Sequence, residues 1–337
     1  MLWRGSSGLL LLLGLSLLAG LVLGRYTIPL TQVAGILLPG SWLGAGAESD
    51  PVATRVIELV RLPRVLLAAL VGAGLAAAGA ALQSLFRNPL AEPQLLGVSS
   101  GAAFGGVLGM LLVGDGPAVV AGAMIWGLLA LAAVFWLVGR QSAGRGSAVL
   151  LVLAGIVVSG VFAAAVSLLK LLADPQNQLP AIVFWLMGSL ANASHERMLL
   201  VLPCIALSLL LLYRLRFQLM ALALGEEDAR NLGVRVGPAR WLILIAVGLI
   251  TAASVAVCGV IAWVGLVVPH LVRMGVGSDH RNFMLNVMLA GAAYLVMVDT
   301  LSRTVAEVEI PLGVLTALLG APLFAVLIRR LGRGMEA

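Results

Sequence analysis

The chain has 337 residues, of which 61% are hydrophobic and 11% charged, and its mean hydropathy is +1.09, so its polar groups could not cover a soluble fold. The net charge of +6 comes from basic residues scattered between apolar runs, which excludes a continuous nucleic-acid-binding face. Cys204 and Cys258 both sit inside apolar runs, which excludes a disulfide framework and a cysteine-based zinc site.

A helix that crosses a bilayer needs roughly 20 mostly apolar residues, and such runs recur along this chain. Leu9–Leu23 follows Arg4 and is expected to be a retained first span rather than a cleaved signal, because a polytopic chain follows it. Arg25–Leu62 is less apolar and rich in Pro, Gly and acids, which predicts an outer loop with a short surface helix. Spans are expected next at Leu66–Leu85, Leu95–Val113, Ala118–Val138, Ala148–Leu172 and Met198–Tyr213. Ile182–Leu190 is apolar but too short to cross, so it should lie at the surface or re-enter. After the polar stretch Arg214–Arg240 come Trp241–Val260, the short Ile261–Val268, Phe283–Val298 and Leu312–Ile328. The predicted fold class is therefore all-α, a polytopic integral membrane protein of about ten transmembrane helices, with residues 1–337 as a single domain. The glycines and alanines inside the spans predict close helix packing.

Basic residues set the expected orientation. With the N-terminus inside, fourteen of the basic residues fall on inner segments, and Arg25, Arg55, Arg61, Arg64, Lys170, Arg197 and Arg303 fall on outer ones. Both termini are thus expected inside. Gly74–Pro93 and Gly248–Pro269 each run through small residues to a proline, a pattern that inverted repeats produce and that Ala/Gly-rich sequence also mimics.

The residues exclude several chemistries. Lys170 is the only lysine, and no GxxxxGK[ST] loop precedes it, so a phosphate cradle of that type is ruled out. His195, His270 and His280 are far apart and have no metal spacing with Cys or carboxylates, and nothing pairs a nucleophile with a base. An ion-coupled carrier would need acids or bases within its spans. Here Asp299 ends a span with Arg303 one turn on, which predicts a pair rather than a proton relay. Energy for pumping is expected to come from another chain. In Leu222–Gly233, LALGEEDARNLG, the acids Glu226, Glu227 and Asp228 suit a helix start and Gly233 suits its end, while Ala229 and Leu232 can share an apolar face. That predicts a short helix between two spans, either a solvated connector or a docking element.

Four ordered blocks carry a resemblance. Arg61–Ser100 (RLPRVLLAALVGAGLAAAGAALQSLFRNPLAEPQLLGVSS), LGEEDARNLGV, GLVVPHLVR and PLGVLTALLGAPLF together resemble the FecCD-type permeases of ABC importers over nearly the whole chain. The resemblance implies a BtuC-like, type II importer permease that is not itself an enzyme. It implies a homodimer with a pathway between the two copies. The expected partners are two ATPase subunits inside, which hold ATP and Mg, and a periplasmic or lipid-anchored substrate-binding protein outside. No cofactor is expected on this chain. The location implied is the bacterial inner membrane, and the cargo a metal chelate: iron(III)–siderophore first, with vitamin B12 (a corrinoid) or haem as alternatives.

The resemblance also assigns residues. Gly225, Glu226, Glu227, Asp228, Ala229, Arg230, Leu232 and Gly233 match the coupling helix that docks on the ATPase. Arg61, Arg64 and Arg303 match arginines that hold acids of the binding protein, and the i, i+3 spacing of the first two puts them on one helix face. Arg87, Asn88, Pro89 and Leu90 match part of the cytoplasmic gate, with Gly139–Ser147 as its counterpart. Gly155, Ser159 and Gly160 match the helix that lines the pathway, and Asp174–Leu190 its outer closure.

Overall fold

The computed structural model describes residues 5–37, 50–139, 147–276 and 282–335, without the side chains of 147–148 and 326–335. The helices in chain order are α1 (Ser6–Val22), α2 (Leu30–Leu37), α3 (Pro51–Arg55), α4 (Leu62–Phe86), α5 (Val98–Leu112), α6 (Pro117–Val138), α7 (Ser147–Leu172) and α8 (Gln178–Leu186). They continue as α9 (His195–Arg214), α10 (Arg216–Leu224), α11 (Glu226–Asn231), α12 (Val236–Cys258), α13 (Val264–Gly275), α14 (Phe283–Thr304) and α15 (Leu312–Met335). Each expected span falls on one of these. Among the described residues, six helical runs are long and apolar enough to cross a membrane, and α1, α5, α13 and the apolar part of α15 are shorter apolar helices.

Three boundaries differ from the sequence expectation. The outer loop ends early, because Asp50 caps α3 by accepting the Val52 N–H at 2.9 Å and Pro51 presets its first turn. A π-helical turn, Val56–Arg61, then joins α3 to α4, so Pro51–Phe86 is one helical run whose first turns are masked by Arg55, Glu58 and Arg61. The expected span Ile261–Val268 is displaced to α13, because Gly259 and Trp263 both adopt positive φ (67° and 73°) and break the helix between them. The expected helix over 222–233 is two helices, split where Gly225 sits at φ 144°.

Small residues decide the packing. Gly101, Gly105 and Gly109 form one stripe of α5 that lies directly on Trp126, Gly122 and Ala118 of α6. A side chain at Gly79 of α4 would strike the Gly265 carbonyl of α13, and one at Gly72 would strike Gly291 of α14. The helical run containing α4 and the helix α12 are 78% buried over their most apolar windows, whereas α7 is 28% and α9 22% buried. The former make the centre of the bundle, and α7 turns Leu150, Leu153, Ile156, Val157, Leu168 and Leu171 outward.

Two interruptions bring backbone into the bundle interior. After α4 the chain runs through an exposed turn and a 3-10 turn, Pro93–Leu96, before α5 begins. After α12 the break at 259–263 meets the end of α8, where the Ser189 N–H donates to the Cys258 carbonyl at 2.9 Å. The same corner receives the start of α15, with the Leu312 and Gly313 N–H groups donating to the Gly188 and Met187 carbonyls. The expected short segment at Ile182–Leu190 is thus α8 plus a turn whose Trp185 indole fills the space beside Gly106.

Candidate functional site

At the end of the bundle where α4 stops, two of the predicted elements meet. Arg87 terminates α4 in the left-handed region (φ 49°), which turns the chain out of the helix. Asn88 then accepts the Leu90 N–H at 2.9 Å through its side chain, a turn that Pro89 stiffens. Arg87, Asn88, Pro89 and Leu90 are all exposed. Across from them Gly225 opens α11, and a methyl group placed on it would lie 3.5 Å from Asp228 Oδ2 and 3.6 Å from Arg87 Nη1. The expected gate turn and the expected coupling helix are therefore neighbours. The counterpart loop, 140–146, lies outside the described residues.

Within α11 the residues separate by role. Glu226 turns inward: it pairs with Arg240 of α12 and, at 3.5 Å, with Arg230 one turn on. Ala229 is fully buried under α10 and α12, whereas Leu232 is exposed, so the two do not share a face. Glu227 and Asp228 are exposed at the helix start, where carboxylates oppose the helix dipole. Gly233 at φ 81° ends the turn.

A cavity of about 580 Å³ runs along α7. Ile156, Ser159, Ala163, Ser167 and Lys170 line it from one helix, at the three- and four-residue steps of one face. Glu92, Gln94, Ser99 and Ser100, from the interrupted segment and the start of α5, line the other wall. Below it Gly155 packs on the Leu95 carbonyl, so the two backbones close against each other. Ser159 faces the cavity, Gly155 forms that contact, and Gly160 points to open space, so the three do not form one lining. Sequence reasoning noted Lys170 only as the chain's single lysine and did not assign Glu92. The signal for both was a charge inside or bordering an apolar run.

At the opposite end lie the three arginines expected on a docking face. Arg61 and Arg64 are 3% and 7% exposed, so the structure places them inside the chain rather than on its surface. Arg64 Nε donates to Asp299 at 2.9 and 3.1 Å, and an Arg64 Nη2 meets Glu309 at 2.5 Å. Arg61 donates to the carbonyls of Leu21, Val22 and Tyr26, tying the end of α1 to α4. Arg303 donates to the Gly20 and Leu23 carbonyls and lies 3.4 Å from Asp299, which makes the expected Asp299–Arg303 neighbours part of one cluster. The i, i+3 spacing is real, but the face it selects is the buried one. Arg303 alone reaches an open depression, of about 510 Å³, with Arg25 and Glu307. Nearby in the loop, the Tyr26 hydroxyl donates to Asp50 at 2.7 Å, which holds the Asp50 carboxyl below its ordinary range and the Tyr26 hydroxyl above its own.

Among the described residues no group of His, Cys and carboxylates could hold a metal ion.

A model described as the FecCD transport family matches residues 10–330. The chain is 43% identical over 328 residues to the molybdate import system permease protein MolB of Haemophilus influenzae, covering 97% of this chain and 96% of the relative. It is 45% identical over 282 residues to the hemin transport system permease protein HmuU of Yersinia pestis, covering 80% and 82%. It is 37% identical over 336 residues to the vitamin B12 import system permease protein BtuC of Klebsiella pneumoniae, covering 97% and 94%. A solved inward-facing structure, assigned to the metal-chelate type of ABC transporter, superposes with a TM-score of 0.84 at 40% identity, over 96% of this chain and 98% of that one.

Proposed function

The chain belongs to the FecCD transport family as a membrane permease subunit of an ABC importer, not an enzyme, and we propose that two copies of it form the pathway for a metal chelate. The observation that carries this reading is the cavity along α7, where serines, Lys170 and Glu92 interrupt an otherwise apolar wall. The outward apolar face of α7 supports a second copy across from it, since that copy would complete the cavity. Iron(III)–siderophore remains the first expectation for the solute. The relatives' names extend the class to haem, vitamin B12 and molybdate.

In this reading α11 docks on a partner ATPase that holds ATP and Mg. The exposed Glu227 and Asp228 face that partner, and Glu226 fixes the helix to α12. Movement of α11 reaches the turn at Arg87 directly, because Gly225 separates them by one layer of atoms. A substrate-binding protein docks at the opposite end, on the depression beside Arg303 and Arg25, while Arg61 and Arg64 hold its floor rather than touch the partner. In this reading α11, both termini and the ATPase lie on the inner side of a bacterial cell membrane, the side toward which the arginine bias points.

The test is uptake into proteoliposomes carrying the permease, its ATPase and its binding protein. ATP-dependent uptake of one labelled solute among ferric siderophores, haem, cobalamin and molybdate is expected, and Lys170→Gln and Ser159→Val should change its rate without changing permease yield. Uptake driven by an ion gradient in the absence of ATPase would overturn the reading.

A further inference from the structure

A second cleft, of about 120 Å³, lies where α4 stops, apart from the cavity along α7. Its walls come from α4, α10, α13 and the start of α14. Two guanidiniums line it, Arg216 at the start of α10 and Arg273 in the last turn of α13. Both are held in place. Arg273 Nη1 donates to Gln83 Oε1 at 2.7 Å, and Gln83, itself 4% exposed, is fixed by donating to the Gly265 carbonyl at 3.1 Å. Arg273 also lies over the Phe283 ring at 5.1 Å. Arg216 lies over the Tyr213 ring at 4.4 Å and donates to the Tyr213 carbonyl.

Neither arginine has a carboxylate within ion-pair distance among the described residues. This contrasts with Arg64, Arg197 and Arg240, each of which has one. Two oriented guanidiniums without an anion, in one cleft, fit the oxygens of a phosphate. Apart from Ser84, whose hydroxyl donates to the Ala80 carbonyl, the remaining walls, Leu219, Met220, Ala223, Phe283 and Met284, are apolar. The cleft also sits at the ends of spanning helices, the level of lipid headgroups, where basic pockets between helices select anionic lipids.

We propose that this cleft binds the phosphate of an anionic phospholipid of the adjacent leaflet, and that the bound headgroup braces α10 and, through Gly225, the helix α11. Leu219, Met220 and Ala223 bring three positions of α10 to the cleft, and α10 ends at the residue before Gly225. The bracing of ATPase docking rests on the reading of α11 given above. Lipid retention by the isolated permease does not.

The test is native mass spectrometry of the full permease in detergent, titrated with phosphatidylglycerol or with phosphatidylcholine of the same acyl chains. Wild type should retain phosphatidylglycerol about tenfold more strongly, the scale of one charge-assisted hydrogen bond. Arg216→Gln with Arg273→Gln should abolish the preference, and the Lys pair should keep part of it. Should the Gln pair not fold, Met220→Trp leaves both arginines in place and fills the cleft, and it should remove the preference too. Equal retention of the two lipids by wild type, or a preference that survives in Met220→Trp, overturns the proposal. Inorganic phosphate at millimolar concentration should not displace the lipid; full displacement would make the site one for free phosphate and overturn the lipid assignment. Solute uptake measured in parallel separates the two ideas, since uptake with no lipid preference sinks only this one.

Discussion

Arg64 and Asp299 stand 235 positions apart, yet one guanidinium nitrogen, Nε, reaches both carboxylate oxygens, at 2.9 and 3.1 Å, in a site where Asp299 is 1% exposed. Removing Arg64 leaves the buried Asp299 with only Arg303, at 3.4 Å, and takes the partner from Glu309. Arg64→Ala should therefore cost about 3–5 kcal/mol and lower the melting temperature of the purified permease. Replacing Arg64→Met together with Asp299→Leu should recover only part of that loss, because Glu309 and Arg303 keep their charges without those partners. A single variant that melts with wild type would show that the pair stabilises nothing.

Two glycines should respond in opposite ways. Gly79→Val drives a side chain into the Gly265 carbonyl, a backbone atom that cannot swing aside, and should cost at least the ~1–3 kcal/mol of ordinary overpacking. Gly160 meets nothing within 4 Å, so Gly160→Ala should stay within about 0.5 kcal/mol of wild type. Thermal unfolding in detergent reads both. Similar losses at the two positions would contradict the packing described for α4 and α13.

The loop at Tyr26 and Asp50 should loosen in acid. The Tyr26 hydroxyl, followed by the Val52 N–H, stabilises the Asp50 carboxylate and lowers its pKa in the folded chain. A depressed carboxyl contributes stability that is present above the unfolded value and is lost as pH falls through the folded one. Hydrogen exchange at Val52 and Ala53, corrected for the intrinsic rate, should speed up in that acidic window. Asp50→Asn should show no such transition; a wild type equally flat with pH would refute the cap.

The acids of α11 should separate into two phenotypes. Glu226→Gln breaks the contact with Arg240 and should lower the stability of the chain itself by about 1–3 kcal/mol. Glu227→Lys with Asp228→Lys should lower the melting temperature less than Glu226→Gln does, since only the dipole-opposing charge at an exposed helix start is lost, and should weaken ATPase association severalfold. Pull-down of the ATPase beside a melting curve distinguishes them. If all three positions behave alike, the inward role of Glu226 is wrong.

Much of this architecture was legible before any coordinates. Run length and hydropathy located the ten apolar helices, since crossing a bilayer is a demand on composition. The glycines and alanines inside the spans announced close packing, and Gly101, Gly105 and Gly109 of α5, packed on α6, are where the structure realises it. What could not be read depends on single torsions and on which face of a helix turns inward. The break at Trp263 and the split at Gly225 are each one φ value, and no periodicity records them. Arg61 and Arg64 share a face by spacing, but only α1 and α14 reveal that the face is interior. Glu92 was hidden because its segment looks like a connecting loop, although it lines a wall.

The distance in sequence between Arg64 and Asp299 also sets an order of events during biosynthesis. A ribosome adding on the order of 5–20 residues per second needs tens of seconds to advance the 235 positions that separate them. For that interval α4 is in place with a guanidinium whose carboxylates, on α14 and just beyond it, have yet to be made. The nascent bundle must hold that charge at its rim, near water, until α14 arrives. Insertion of α14 then brings Asp299 to Arg64 and ties α14 to the end of α1 through Arg303, which donates to the Gly20 and Leu23 carbonyls.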